Sequence, residues 1–188
     1  FRKNHKEDSI KAGVQLLMKA DMIIGHNIIC FDNPGVKKHF PDFKPAGLIR
    51  DTFVISKLIW TDMKGYDMAL VAKGRMNRQD LGHFFGKHSL DAWGYRLHNF
   101  KSSWKHHEGQ VWSQEMEDYC VQDVEVNYDL WKYMESQNYS EQAIQLENDV
   151  QEIVYRQERR GVCFDVKKAE KLYTTLIERR LELEEKLR

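Results

Sequence analysis

Ile10, Val14, Leu17 and Met18 recur at helical spacing, which predicts a helix over residues 8–19 with Asp8 or Ser9 as its N-cap. Met22-Ile23-Ile24-Gly25 follows at once and is too short and too rich in β-branched residues for a helix, so it reads as a buried strand. Asn33-Pro34-Gly35 supplies a turn into a new helix. Leu48-Ile49-Arg50-Asp51 is a second brief apolar run, and helical spacing returns from Thr52 to Trp60. Helices alternating with short buried strands predict an α/β core. Periodicity weakens between Lys64 and His88, where loop and short helix are expected, and Ser89-Leu90-Asp91-Ala92-Trp93 restarts a helix. A long helix is predicted from Ser113 to about Met134, with Met116, Cys120, Val124, Tyr128 and Trp131 on one face. Ser140 opens another that reaches Arg160, Gly161 stops it, and Asp165 caps a last helix running to the chain end. The sequence holds no internal repeat and no low-complexity tract.

The 188 residues, 41% of them apolar and 31% charged, suffice for one well-buried core and a helical extension. Twenty-nine basic and 29 acidic residues cancel, so no global field draws the chain to nucleic acid or to an anionic membrane, and any DNA contact must be local. Cys30, Cys120 and Cys163 are widely spaced and odd in number, which points to reduced thiols rather than a disulfide framework. No apolar run has the length to span a bilayer, and no membrane partner is expected.

Two short patterns could carry chemistry. Gly25-His26-Asn27-Ile28-Ile29-Cys30-Phe31-Asp32 lies at the C-terminal end of a predicted strand, where ligand groups collect in open α/β sheets, so Asp32 is well placed. A helix cap at Asp32 or Asn33 explains the same residues without chemistry. Tyr119-Cys120-Val121-Gln122-Asp123 sets a phenol and a carboxylate at i and i+4 on one helix face, although a half-buried Tyr and a solvated Asp fit that spacing as well. None of the eight histidines, His83, His88, His106 and His107 included, shows a pattern that assigns it a catalytic role.

Taken together, and in this order, the two patterns resemble the second and third motifs of the DEDD exonucleases in the variant whose third motif carries Tyr. Asp51-Thr52-Phe53-Val54-Ile55-Ser56-Lys57-Leu58-Ile59, Asp67-Met68-Ala69-Leu70 and His88-Ser89-Leu90-Asp91-Ala92-Trp93-Gly94-Tyr95-Arg96-Leu97 look like the exonuclease domains of DNA polymerases from short-tailed phages. The second motif is also similar to that of family B polymerases. Arg156-Gln157-Glu158-Arg159-Arg160-Gly161-Val162-Cys163-Phe164-Asp165, followed by a charged helix, resembles the junction of exonuclease and polymerase domains in family A, and favours that family. The resemblance implies a ribonuclease H-like α/β fold lacking its first strands, with a partial 3′→5′ exonuclease domain over 1–139. Residues 140–188 would be helices leading into a polymerase domain.

It further implies proofreading hydrolysis of the 3′-terminal phosphodiester of single-stranded DNA with two Mg²⁺ or Mn²⁺ ions, which carboxylates would hold. Asp123 would bind the ion that activates water, Asp32 would hold the second partly through water, Tyr119 would orient the attacking water, and Asn27 would lie near the terminal nucleotide. The expected partners are a single-stranded 3′ end and primer-template DNA, with room for a processivity factor, in a viral protein acting in the host cytoplasm. The family's first motif, Asp-x-Glu on an opening strand, has no counterpart ahead of Met22. Both ends are therefore expected to be cut, the isolated chain to be inactive, and sheet edge and apolar surface to be exposed. A nucleic-acid-binding or spacer module that keeps the fold without the chemistry is the alternative, and a helical scaffold a third.

Overall fold

The computed structural model describes residues 7–100 and 112–187, with side chains described from residue 10 onward. The chain opens with α1 (Glu7–Lys19) and passes into β1 (Met22–Gly25). Next, α2 (Asp32–His39) crosses over to β2 (Leu48–Asp51), which pairs parallel to β1 with Met22 opposite Leu48 and Gly25 opposite Asp51. That register ends both strands at one level, so the loop after β1 and the start of α3 (Thr52–Ile59) emerge side by side. Among the described residues the sheet has these two strands and the other regular elements are helices. The predicted caps Asp8 and Ser9 fall inside α1 rather than ahead of it; their side chains, like His106 and His107, lie outside the described residues.

Three local expectations change. Asn33-Pro34-Gly35 is not a turn before α2 but its first turn, where a proline lacking an N–H costs nothing. Phe31 is the N-cap residue, so neither Asp32 nor Asn33 caps the helix. The segment expected to be mostly loop contains α4 (Met63–Ala72), α5 (Arg78–Leu81) and a 3₁₀ turn (Gly82–Phe84) before α6 (Leu90–Arg96), which Ser89 caps as expected. Periodicity is faint in α4 because one of its two fully inward positions is Asp67, a charged residue that breaks the apolar pattern.

The third change concerns α7 (Gln114–Glu135). Its buried residues are Val126, Leu130, Trp131 and Met134, whereas Cys120, Val124 and Tyr128 are exposed. The inward face runs instead through Tyr119, Asp123, Val126 and Leu130, because α7 lies against β1, α3 and α6 and turns polar side chains inward near the strand ends. Counting apolar positions therefore rotates the helix away from its true orientation.

The main core gathers Ile55, Trp60, Met63, Trp93, Leu130 and Met134. Trp60 stacks on Tyr133 at 5.4 Å between centroids, and the hydroxyls of Tyr133 and Tyr66 lie 2.8 Å apart. Inside this apolar setting Asp67 and Arg96 form a buried two-point pair at 2.7 and 2.8 Å, completed by Gly86 N–H donating to Asp67 and by Arg96 donating to the Lys87 carbonyl. The pair ties α4, α6 and the loop between them. On the other side, α8 (Glu141–Arg160) is fastened to β2 through Arg50, which pairs with Glu141 and donates to Gln145 at 2.7 Å.

The chain divides into two compact units after Tyr155, within α8, while the expected functional boundary at 139/140 falls in the turn between α7 and α8. The second unit contains Gly161, whose φ of +72° ends α8, and α9 (Val166–Lys186), capped by the Asp165 carboxylate accepting from Lys168 N–H at 3.0 Å. All three cysteines are free thiols. Among the described residues no helix is long and apolar enough to cross a membrane.

Arg96→Met should strand Asp67 as a buried, uncompensated charge and cost about 3–5 kcal/mol, read from urea unfolding of the two chains; a loss near zero would show that the pair contributes no more than its apolar replacement. Burial first, then the positive charges of Arg96 and Lys57, pulls the His88 imidazole from its ordinary 6.5 down to about 4. The unfolded chain therefore takes up a proton below pH 6.5 that the folded chain refuses, so this contribution to stability is whole above pH 6.5 and is lost as pH falls toward 4. Thermal melts across that range should show the loss in the native chain and a flatter profile in His88→Gln.

Candidate active site

The loop leaving β1 folds straight back over the strand end. Only glycine permits this at position 25, since a Cβ there would come within 2.6 Å of the Ile28 side chain. Asn27 then takes a left-handed conformation, φ +63°, which Asn tolerates better than most residues. Its amide donates to Asp51 Oδ1 at 2.8 Å and the amide of Ile29 donates to Oδ2 at 3.1 Å. The same carboxylate caps α3 by accepting from Phe53 N–H at 3.0 Å and, more weakly, from Val54 N–H at 3.4 Å. Asp51 is fully buried, and burial pushes its carboxyl above the ordinary range while the four amides pull the other way. Phe31 N–H to Asn27 carbonyl and Asn33 N–H to Ile28 carbonyl carry the loop into α2, whose first residue is Asp32.

Asp32 is exposed along much of its length, yet partial burial raises its carboxyl above the ordinary value, and the negative charge of Asp51 adds to the effect; the Asp32 backbone amide opposes it. A nearby cation would reverse both penalties. Asp32 lines one side of a cavity of ≈ 340 Å³ whose lining also includes Gly25, His26, Asp123, Val124 and Asn127. A polar chain runs along it: Thr52 Oγ1 lies 2.6 Å from Asn127 Oδ1, to which it donates, and 3.0 Å from His26 Nδ1. A hydroxyl has one proton. With that proton on Asn127, Thr52 can only accept from His26, which assigns the hydrogen to Nδ1. The His26 and Phe53 rings meet in an edge-to-face arrangement, 5.3 Å between centroids.

The structure thus brings Asp32 and Asp123 to one cavity. Tyr119 lies one turn before Asp123 on α7, half-buried and outside the described lining, and Asn27 is also outside it, with its amide engaged on Asp51. Sequence reasoning passed over three residues. Asn127 continues the i, i+4 series of Tyr119 and Asp123, and that extension was a usable signal. His26 adjoins Asn27 but has no pattern of its own. Asp51 reads as the end of a strand, and nothing in sequence tells that its carboxylate serves a loop more than twenty residues away.

Carboxylate oxygens are donors of the kind that Mg²⁺ and Mn²⁺ favour, and Asp32 and Asp123 bring two such groups to the lining of the cavity. They do not make a two-ion site: among the described residues no group of three or more His, Cys, Asp and Glu side chains could hold a metal.

No family model matches the chain. It is 31% identical over 221 aligned residues to the DNA-directed DNA polymerase of Escherichia phage T7 and 30% identical over 217 to that of Enterobacteria phage T3. The likeness covers 96% and 94% of this chain and 30% of each polymerase. The chain is therefore a relative of phage DNA polymerases that spans about 30% of the length of those it matches.

Thr52→Val keeps the volume of the side chain and removes the hydroxyl that both His26 and Asn127 use. A loss of about 1–3 kcal/mol in urea unfolding is expected, with a changed ring ¹⁵N spectrum for His26. Unaltered His26 nitrogen shifts would mean that Thr52 does not set its tautomer.

Proposed function

We propose that these residues form the 3′→5′ proofreading exonuclease region of a phage DNA polymerase, removing the 3′-terminal nucleotide of single-stranded DNA. One observation carries the reading: Asp32 and Asp123, distant in sequence, line one cavity at the shared end of a parallel strand pair, in a chain similar to phage DNA polymerases. Residues 1–139 are the exonuclease part in this reading and 140–188 the connection toward a polymerase domain, within a ribonuclease H-like architecture. The protein acts in the host cytoplasm on a single-stranded 3′ end delivered from primer-template DNA.

In this reading two Mg²⁺ or Mn²⁺ ions supply a hydroxide at neutral pH and stabilise the departing 3′-oxygen. Asp123 and Asp32 hold the ions through hard oxygen donors, and Tyr119 orients the attacking water from one helical turn away. Asn27 approaches the terminal nucleotide with its side chain, since its backbone is already committed to Asp51. Two carboxylates are too few for two ions, and neither strand carries an Asp-x-Glu, so the full ion pair needs carboxylates beyond those that the described residues bring to the cavity.

That shortage favours a second reading, in which these 188 residues bind a single strand without cleaving it. A 3′-labelled oligonucleotide incubated with Mg²⁺ or Mn²⁺ separates the two. The chain alone should degrade it little or not at all, and a longer polypeptide that carries the chain together with an Asp-x-Glu strand should shorten it from the 3′ end. In that polypeptide Asp123→Asn should abolish degradation and Tyr119→Phe should slow it by about 10- to 1000-fold with ion affinity unchanged. Full activity in Asp123→Asn would refute the assignment, and strand binding without cleavage by the longer polypeptide would favour the silent module.

A further inference from the structure

Asp51 accepts more hydrogen bonds than a helix cap needs. Capping α3 requires an acceptor for Phe53 and Val54, a task that a serine or threonine hydroxyl performs. A fully buried carboxylate is an expensive way to do it. The surplus goes to the amides of Asn27 and Ile29, 24 and 22 residues away on the loop that leaves the neighbouring strand. A carboxylate has two oxygens and about four lone-pair sites, and this one commits both oxygens to the loop, Oδ1 to Asn27 and Oδ2 to Ile29, whereas Oδ1 alone serves the cap. Asp51 is itself held from behind, because its own amide donates to Asn148 Oδ1 at 2.8 Å and Asn148 is tied to the Ile144 carbonyl at 2.7 Å.

We propose that Asp51 is a positioning residue for the candidate site: its carboxylate gathers the loop amides of Asn27 and Ile29 and thereby sets where α2 begins and where Asp32 meets the cavity. The inference rests on the reading of Asp32 as a cation ligand. Ile29 precedes Asp32 by three residues, and hydrogen bonds from Phe31 to Asn27 and from Asn33 to Ile28 leave little slack between the held amides and the ligand. The chain therefore spends one buried carboxylate on geometry so that another, close to solvent, stands ready for a cation. Groups that orient metal ligands from behind commonly change metal affinity by about 10- to 100-fold when lost.

Asp51→Ser separates the two duties, since serine remains a good cap for α3 but cannot reach the loop with two oxygens. Amide hydrogen exchange should accelerate by about 10- to 100-fold at Asn27 and Ile29 and far less at Phe53 and Val54. Mn²⁺ affinity, measured on the 188-residue chain by the electron paramagnetic resonance of free Mn²⁺, should weaken by about tenfold or more. Asp67→Asn, which removes a buried carboxylate elsewhere, should lower stability and leave Mn²⁺ affinity as it was. Should Asp51→Ser fail to fold, Asp51→Asn with its oxygen in the Oδ1 place turns an NH₂ toward the Ile29 amide, so faster exchange at Ile29 than at the cap is expected there too. Unchanged protection of Asn27 and Ile29, or unchanged Mn²⁺ affinity where Asp32→Asn weakens it, would overturn the positioning role. Mn²⁺ affinity untouched by Asp32→Asn would instead remove the ligand reading on which the role rests, and the Asp32 arm identifies that failure separately.

Discussion

The buried carboxylate of Asp51 is the point at which the two strands, α3, the β1 loop and α8 meet. It ends β2, caps α3, collects the amides of Asn27 and Ile29, and has its own amide held by Asn148 of α8. A buried charge is tolerated only when hydrogen bonds compensate it, and here four backbone N–H groups do so, three on Oδ1 and one on Oδ2. The arrangement is reciprocal. The left-handed turn at Asn27 would leave its amide pointing into the interior without an acceptor if the carboxylate were absent, and the carboxylate would be intolerable without the turn. A two-stranded sheet has little intrinsic stability, and it persists here because this network and the helices around it fasten its C-terminal end.

A different logic governs the cavity. Asp32 carries a carboxyl raised by partial burial and by the charge of Asp51, while Asp123 approaches the same space from α7. Carboxylates that share a cavity repel one another, and a cation between them would relieve that repulsion. Polar residues on the inward face of α7, Asp123 and Asn127 among them, occupy positions that apolar side chains would use to improve packing. The stability lost there is offset at a distance, in the aromatic core around Trp60, Trp93 and Tyr133 and in the fully satisfied Asp67–Arg96 pair.

Similarity to phage DNA polymerases and the cavity's donor set bear on different questions. The first concerns ancestry over nearly all of this chain but only about 30% of each relative; the second concerns what oxygen ligands can bind. Neither alone identifies a reaction. The proposed reading takes its family from the first and its ligands from the second.

Much of the fold follows from sequence alone because its signals are local. Met22 to Gly25 and Leu48 to Asp51 are short β-branched or apolar runs bounded by helical periodicity, and the caps Ser89, Ser113 and Asp165 are hydroxyl or carboxylate side chains that bond their own first turn. That Asp32 and Asp123 line one cavity follows in part from local signals too, since strand-end position and helical spacing are sequence properties. What tertiary structure decided depends on partners far away in the chain. α4 was hidden because its buried Asp67 is acceptable only beside Arg96, 29 residues on. The rotation of α7 was misread because the side that faces β1 and α3 is polar near the strand ends, and only docking shows which side is inward. Asp51 and His26 gained their places in the same way: a polar side chain becomes part of a site only when folding delivers its hydrogen-bond partners, and no local pattern carries that information.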